Sequence, residues 1–425
     1  MTNPAAELAK SQQAGAAHAE AQSRQSQSQS QQSQSKASKT ALAARLQSEN
    51  RAVIVAVLGV VVGFAIGFFQ LSSGLHALSG QDSVGYAAAF AASLVSGAAF
   101  FASYALNFRE KASSWRAELP LAKRLIDSIG LSIVHGAIAY LTLIAASELF
   151  QQGFAGLEID GFAGASMVAV TCGLGAYVAF LSGSSVGTTS LSILLAVFLI
   201  SGTAFSMVTA NESTWWQVHF SELGTLGGVA AWAFNLTLVF SGIVVTTLAT
   251  YVTRDLQQWV KDHSAGTRRR VQVIQWLLAA IGILLAIVGL VPTDLNFWIH
   301  LGAASGMVLV FFALIAALAP CVPGLTKVFL VMSYLIVAAI IFAALLWMPF
   351  GYYNLTGLEF AVAGLIFVWL VVFVRQVGAL VDNADDEPEE RSWRPVLPQR
   401  LRRRARPRGN NSTEGKRGAG SVKPS

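Results

Sequence analysis

The sequence predicts an all-α fold, a polytopic transmembrane bundle of about ten helices with both termini in the cytoplasm, on three observations. Of 425 residues, 54% are hydrophobic and only 12% are charged, and the mean hydropathy is +0.55. The apolar residues gather in runs of about 20, the length that crosses a hydrocarbon core roughly 30 Å thick at 1.5 Å per residue. Lys and Arg fall only in alternate connections between those runs. Two or three soluble domains of this length would carry far more charge.

Residues 1–50 come first. From 22 to 35 the chain is almost purely Gln and Ser, a tract that cannot bury enough surface to fold. Residues 1–50 are therefore expected as a disordered cytoplasmic tail, with 40–50, rich in Ala, Leu and Arg, leading into the first span as a helix. No secretory signal precedes that span, which is long enough to cross and is expected to stay as an uncleaved anchor.

Four spans follow within 51–183, near 52–74, 84–107, 129–150 and 162–182, and six more within 184–380, near 187–209, 229–252, 272–291, 297–318, 327–348 and 357–377. The short gap between 181 and 187 makes spans four and five a tight helical hairpin. Cys172 falls inside the fourth span and Cys321 at the end of the eighth, which suits neither a disulfide framework nor a thiolate metal site.

Orientation follows from the cations, because Lys and Arg in loops are retained on the cytoplasmic side. All 29 lie in the N-terminal tail, in the connections after spans two, six and eight, or from Arg375 onward. One span more or fewer would scatter them over both faces. The opposite face keeps acids, among them Glu148, Glu212, Glu222, Asp294 and Glu359. This is either a cation-attracting surface or what remains once bases are excluded.

The last segment, 381–425, is expected as a disordered tail that is first acidic (Asp382 to Glu390) and then basic. Its arginines, Arg400, Arg402, Arg403, Arg404 and Arg406 among them, suit anionic lipid headgroups at about 1 kcal/mol per charge, or act only as a topology determinant. Nothing resembling a nucleic-acid-reading fold accompanies them. Gly59, Gly63 and Gly67 in span one, and Gly302 and Gly306 in span eight, are spaced for close helix approach, within this chain or in a homo-oligomer. Trp215, Trp216, Trp298, Trp347, Tyr352 and Tyr353 suit an interfacial aromatic belt.

Ionisable and amide groups at membrane depth are functional candidates by default. They are His135, Glu148, Asn235 and His300. On the outer side the connection before span six reads Trp215-Trp216-Gln217-Val218-His219-Phe220-Ser221-Glu222, and a helical turn would set His219 and Glu222 on one face. Between spans seven and eight stand Asp294 and then His300. The two hairpins emerge on the same side, so His219, Glu222, Asp294 and His300 are the candidate cluster, with Asn235 beneath. Two imidazoles and two carboxylates suit a divalent metal or acid–base work on a lipid headgroup. They equally suit hydrogen bonding and capping at the interface, the larger expectation. No cofactor is assigned.

The segments Phe220-Ser221-Glu222-Leu223-Gly224-Thr225, Phe234-Asn235-Leu236-Thr237-Leu238 with Ser241-Gly242, and Val288-Gly289-Leu290-Val291-Pro292 followed by Asp294 and His300-Leu301-Gly302 resemble a bacterial family of integral membrane proteins catalogued as domain of unknown function 998. The resemblance covers roughly 187–378, six of the ten spans. It places Leu223, Gly224, Asn235, Pro292, Asp294 and His300 at patterned positions without assigning them chemistry. The family is itself distantly similar to eukaryotic six-span proteins of lipid remodelling and autophagy, a fold-level analogy.

Three functions are compatible with the residues. The first is a non-enzymatic membrane module that binds a lipid or a partner protein, or serves as a transport accessory, with its pocket between spans five and eight. The second is a transporter or permease, and the third a membrane-embedded metal-dependent hydrolase. No G-x-x-x-x-G-K-[ST] segment is present to supply an ATPase. Composition suggests the inner membrane of a high-GC bacterium.

Overall fold

The computed structural model describes residues 4–107, 111–225, 227–259, 265–322 and 324–392. Among them ten helices are long and apolar enough to cross a membrane. In chain order the helices are α1 (Pro4–Gln70), α2 (Val84–Leu106), α3 (Leu121–Gly153), α4 (Gly161–Ser184), α5 (Thr188–Val208), α6 (Gly228–Trp259), α7 (Ala265–Leu290), α8 (Thr293–Cys321), α9 (Lys327–Trp347) and α10 (Leu355–Ser392). The crossing part of α1 is Leu42–Gln70 and that of α10 is Leu355–Leu380. Each expected span falls on one of these helices.

Local chemistry sets the helix starts. Ser83 accepts the Tyr86 N–H ahead of α2, and Asp160 accepts those of Phe162 and Ala163 ahead of α4. Each thereby satisfies donors that a first turn leaves open. Two short strands not expected from the sequence, β1 (Leu75–Ala77) and β2 (Glu158–Asp160), pair antiparallel with His76 opposite Ile159. They tie the α1–α2 connection to the α3–α4 connection, so both lie at one end of the helices.

Three boundaries differ from the sequence expectation. Helix α3 starts at Leu121, taking Lys123, Arg124 and Asp127 into the helix. Their charges had marked the stretch as loop, yet Lys123 and Asp127 are paired one turn apart. Helix α6 likewise continues to Trp259 through Arg254 and Asp255. The Gln/Ser tract, expected without a fold, continues α1 as helix, and its Gln25 and Ser28 are exposed. A helix closes its hydrogen bonds within its own backbone, so this extension needs no buried partner.

Glycines set the closest approaches. In α1 the expected seam is intramolecular: a Cβ on Gly63 would sit 2.5 Å from Cys172 Cβ of α4, and one on Gly67 2.9 Å from Val168 Cβ. Gly242 of α6 and Gly282 of α7 face each other, each with the other's carbonyl oxygen inside 2.7 Å of where its Cβ would be. Gly302 differs, with nothing among the described residues within 4 Å of its added Cβ, and Gly306 meets Leu284 of α7 only at an ordinary 3.6 Å, so neither sets a close approach. Both cysteines are buried and free.

Helices α1 to α4 pack mainly among themselves, with α4 against α1 and α2 and with α2 along α3. Helix α6 packs along α5 and α7, and α7 along α8. Side chains of α8, α9 and α10 meet in an aromatic knot where Trp369 stacks on Phe373 at 4.9 Å and meets Phe311 edge-on at 5.1 Å. The buried indole N–H of Trp369 donates to Ser333 at 2.9 Å, meeting the requirement that a buried donor find an acceptor. The two sets of helices join where α3 lies against α5 and α6.

Candidate functional site

Among the described residues, polar groups and space meet at the knot built on the α5–α6 connection and along the seam of α2 and α3 against α5 and α6, and a smaller pocket lies between α2, α3 and α4. In the knot, the chain after α5 makes two 3-10 turns, Trp215–Gln217 and Phe220–Gly224. His219 precedes the second turn, and its Nε2 lies 3.4 Å from the Glu222 carboxylate. Burial lowers the His219 pKa from its usual value of 6.5; Glu222 opposes that shift, and a charge on His300 would add to it. His300, 6% exposed, donates from Nδ1 to the Val291 carbonyl at 2.9 Å in the tautomer this bond requires.

The structure thus sets Glu222 beside His219 and places His300 within electrostatic reach of His219. Asn235 joins from below, its Nδ2 donating to the Gly224 carbonyl at 2.9 Å. Asp294 does not join. Asn296 leaves helical geometry, with φ −158° and ψ 100°, and its side chain caps a fresh start by accepting the Ile299 N–H. Asp294 therefore sits exposed in a separate first turn. Among the described residues no three His, Cys, Asp or Glu side chains gather as a metal-binding set.

Glu359 of α10, read from the sequence only as one more outer acid, accepts the Phe220 backbone N–H. Asn354 donates to the Trp216 carbonyl at 2.6 Å. The Phe220 ring meets Phe234 edge-on at 5.2 Å and Phe360 at 4.5 Å. Asn235, Glu359 and Asn354 each spend their polar atoms on the backbone of this connection. Through these three side chains the arrangement fastens the loop to α6 and α10. Of the tail arginines, Arg400, Arg402, Arg403, Arg404 and Arg406 lie outside the described residues.

The seam is built differently at its two ends. Toward the α5–α6 connection it opens into a crevice of about 650 Å³ between α2, α3, α5 and α6. Its wall is apolar, from Trp232 and Leu236 on α6 to Phe101 on α2 and Ile129 on α3, and each of these four side chains is exposed at the bundle's flank. This crevice differs in place from the pocket expected between spans five and eight.

Toward the other end the seam closes on polar groups that sequence reasoning passed over. Asp127, 1% exposed, accepts from Lys123 and from the Thr247 hydroxyl of α6. Tyr104 and Tyr251 bring their hydroxyls to 3.5 Å, Thr188 donates to Asp255, and Arg116 donates to the Val186 carbonyl at 3.0 Å. His135, a candidate from the sequence, faces α2 and α4 instead: it stacks on Phe100 at 4.0 Å and contacts Ser182 at 2.8 Å and the Leu131 carbonyl at 2.8 Å. The one available signal was the i, i+4 spacing of Lys123 and Asp127 just ahead of an apolar run.

Such a chain, with ten helices suited to crossing a membrane, has the architecture of a multi-pass membrane protein. Compared with known proteins, it matches no family model, no curated protein and no solved structure.

Proposed function

We propose that this protein is a non-enzymatic membrane module that binds a membrane lipid through its acyl chain. The carrying observation is the crevice of about 650 Å³, apolar along its wall and open through exposed apolar side chains on the flank of the helices. Its volume lies in the range of small-ligand sites, about 300–1,000 Å³. In a bilayer the medium at that flank is hydrocarbon, so an acyl chain is the occupant at hand. The test is mass spectrometry of lipids retained by the purified full chain. Ala98→Trp and Ala233→Phe, which place bulk in the crevice, should strip the lipid while leaving the thermal transition in place. Undiminished lipid in both variants would sink the proposal.

A second reading, transport, draws on the seam. Two helical sets joined along one line, open at one end and closed by polar contacts at the other, resemble a carrier caught on one side of its cycle. Lipid or solute flux in proteoliposomes is its test. The hydrolase reading draws on His219 beside Glu222 alone, with Asp294 exposed in a separate turn.

Orientation, location and kinship belong to the same proposal. Segregation of all 29 cations supports cytoplasmic termini in a bacterial inner membrane. A cysteine introduced at Arg268 that reacted from outside intact cells would reverse this orientation. The change of packing partners at the α4–α5 turn supports treating 187–378 as the part akin to the domain of unknown function 998 family. The arginines from Arg400 to Arg406 are proposed to meet anionic headgroups, and a peptide of 391–408 should bind anionic vesicles at low salt. A homo-oligomer or a separate membrane partner is compatible with all of this.

A further inference from the structure

We propose that Arg116 is a phosphate-binding group, and that the ligand of the crevice is a phospholipid whose phosphate it holds; the second half of this statement rests on the lipid-binding reading above. Arg116 lies in the 3-10 segment Lys111–Glu118 between α2 and α3 and is only 4% exposed. One nitrogen, Nη2, donates to the Val186 carbonyl, while Nε and Nη1 have no hydrogen-bond partner among the described residues. The indole Nε1 of neighbouring Trp115 is also buried without a partner. Three donors thus stand unsatisfied on two adjacent residues.

A buried guanidinium without a counter-charge is costly, and orphaned buried donors call for a specific cause such as an absent anion. Aromatic faces answer part of the charge: the Arg116 Cζ lies 4.9 Å from the Tyr104 ring centroid and 5.3 Å from that of Tyr251. Rings accept no N–H in the plane of the guanidinium, however, and among the described residues the two carboxylates at this end, Asp127 and Asp255, have other partners. Asp127 takes Lys123 and Thr247, and Asp255 takes Thr188. Arg254 adds a second guanidinium 4.6 Å from the Trp115 ring centroid. The open edge of the Arg116 guanidinium and the neighbouring indole N–H favour an oxyanion with several acceptor atoms, which a phosphate supplies.

The crevice ends close to this point. Phe101 lines it, and Tyr104, whose ring lies against Arg116, follows three residues on, about 4.5 Å along the helix. On α3 the lining residue Ile129 is two residues from Asp127 of the polar end. One amphipathic molecule would therefore run its chain along the crevice and its phosphate to Arg116. The donors are closed over by rings, so entry requires the 111–118 segment to lift from α6.

The experiment uses the full chain in lipid nanodiscs or mild detergent. It compares phosphatidic acid with diacylglycerol of the same chains by native mass spectrometry, and adds inorganic phosphate alone in a thermal-shift arm. Phosphatidic acid should bind about tenfold more tightly, as expected from hydrogen bonds to a charged group. Arg116→Gln should erase that preference while diacylglycerol binding persists, and Arg116→Lys should keep part of it. Trp115→Phe, which keeps the ring and drops the donor, should weaken the preference and serves if Arg116→Gln does not fold. A preference that survives both Arg116→Gln and Trp115→Phe overturns the assignment. Equal binding of the two lipids, with inorganic phosphate stabilising the wild type but not Arg116→Gln, supports the phosphate site and overturns its link to lipid. If neither lipid binds, the crevice reading fails while the phosphate arm still decides Arg116: stabilisation lost in the variant supports it, and no stabilisation overturns it.

Discussion

Thr247 of α6 donates its hydroxyl to the Asp127 carboxylate of α3 at 2.8 Å, and both side chains are buried. The bond joins the two sets of helices at the closed end of the seam. The same hydroxyl also reaches the Ile243 carbonyl at 2.9 Å, so a single proton is shared and the loss of one acceptor is cushioned. Thr247→Val removes this donor while the Ile243 carbonyl keeps its helical N–H, so the bond to Asp127 is what is lost, at about 1 kcal/mol. Asp127→Ala removes the acceptor of both Lys123 and Thr247 and should cost about 2–3 kcal/mol. Asp127→Asn, which keeps an acceptor oxygen, should fall between them. Thermal unfolding of the purified variants gives the order, and equal losses in all three would show that the bond does not fasten the seam.

Glycine substitutions should separate a packed helix face from an open one. Gly63→Ala brings a methyl carbon to 2.5 Å from Cys172 Cβ and to 3.0 Å from the Val168 carbonyl oxygen, both fixed parts of α4. The helices must move apart, at a cost of about 1–3 kcal/mol. Gly302→Ala meets nothing within 4 Å and should be neutral or slightly stabilising, since Ala is the better helix former. A loss at Gly302 as large as that at Gly63 would mean that α8 is covered by a second molecule, and cross-linking would then identify the interface.

Much of this architecture was legible in the residues, and the illegible parts have a common physical origin. Span count and order follow from apolar runs because a bilayer leaves few alternatives. Helix ends do not, because hydropathy registers the cost of a charge in lipid and not the continuity of backbone hydrogen bonds. Lys123, Asp127, Arg254 and Asp255 were therefore read as loop while their helices ran on through them. The α5–α6 knot was half legible: Glu222 follows His219 by three residues, with His219 just ahead of the turn, so their contact follows from spacing. Glu359 reaches Phe220 from 139 residues away, and no local pattern encodes that. Asp294 failed to converge because Asn296 restarts the helix, a cap visible only in backbone angles. Arg116 lies in a connection that the charge count treated as a topology signal, and its burial depends on rings contributed by α2 and α6.

His219 should give the protein a pH dependence of definite sign. Burial holds its folded-state pKa below the 6.5 of an unfolded chain, against the pull of Glu222 and with the help of His300. Between those two values the unfolded chain binds the extra proton, so stability rises with pH there. Its contribution is complete above about pH 6.5, falls as the pH drops below that, and levels off below the folded-state pKa. His219→Gln should flatten this part of the profile of melting temperature against pH. A profile unchanged by the substitution would assign the dependence to another group.

Glu359 should act as a fastening for the α5–α6 connection, and the kind of substitution should reveal it. Its carboxylate accepts the Phe220 N–H, while the Phe220 ring is wedged between Phe234 and Phe360, the residue that follows Glu359. Backbone bond and ring contacts hold the same residue, so losing the bond should loosen the connection without unfolding the helices. Glu359→Gln keeps an acceptor oxygen in place and should leave the connection as it is. Glu359→Ala leaves the part-buried N–H without its acceptor, at about 1–3 kcal/mol, more than the local structure of a short loop absorbs unchanged. Trp215 and Trp216 lie on that loop, so the alanine variant should show greater quenching of tryptophan emission by acrylamide and faster cleavage within 209–227 by protease, with lipid retention in the crevice intact. If Glu359→Gln loosened the loop as much as Glu359→Ala, the charge rather than the hydrogen bond would be what holds it, and adding His219→Gln would then tell whether its partner is the imidazole.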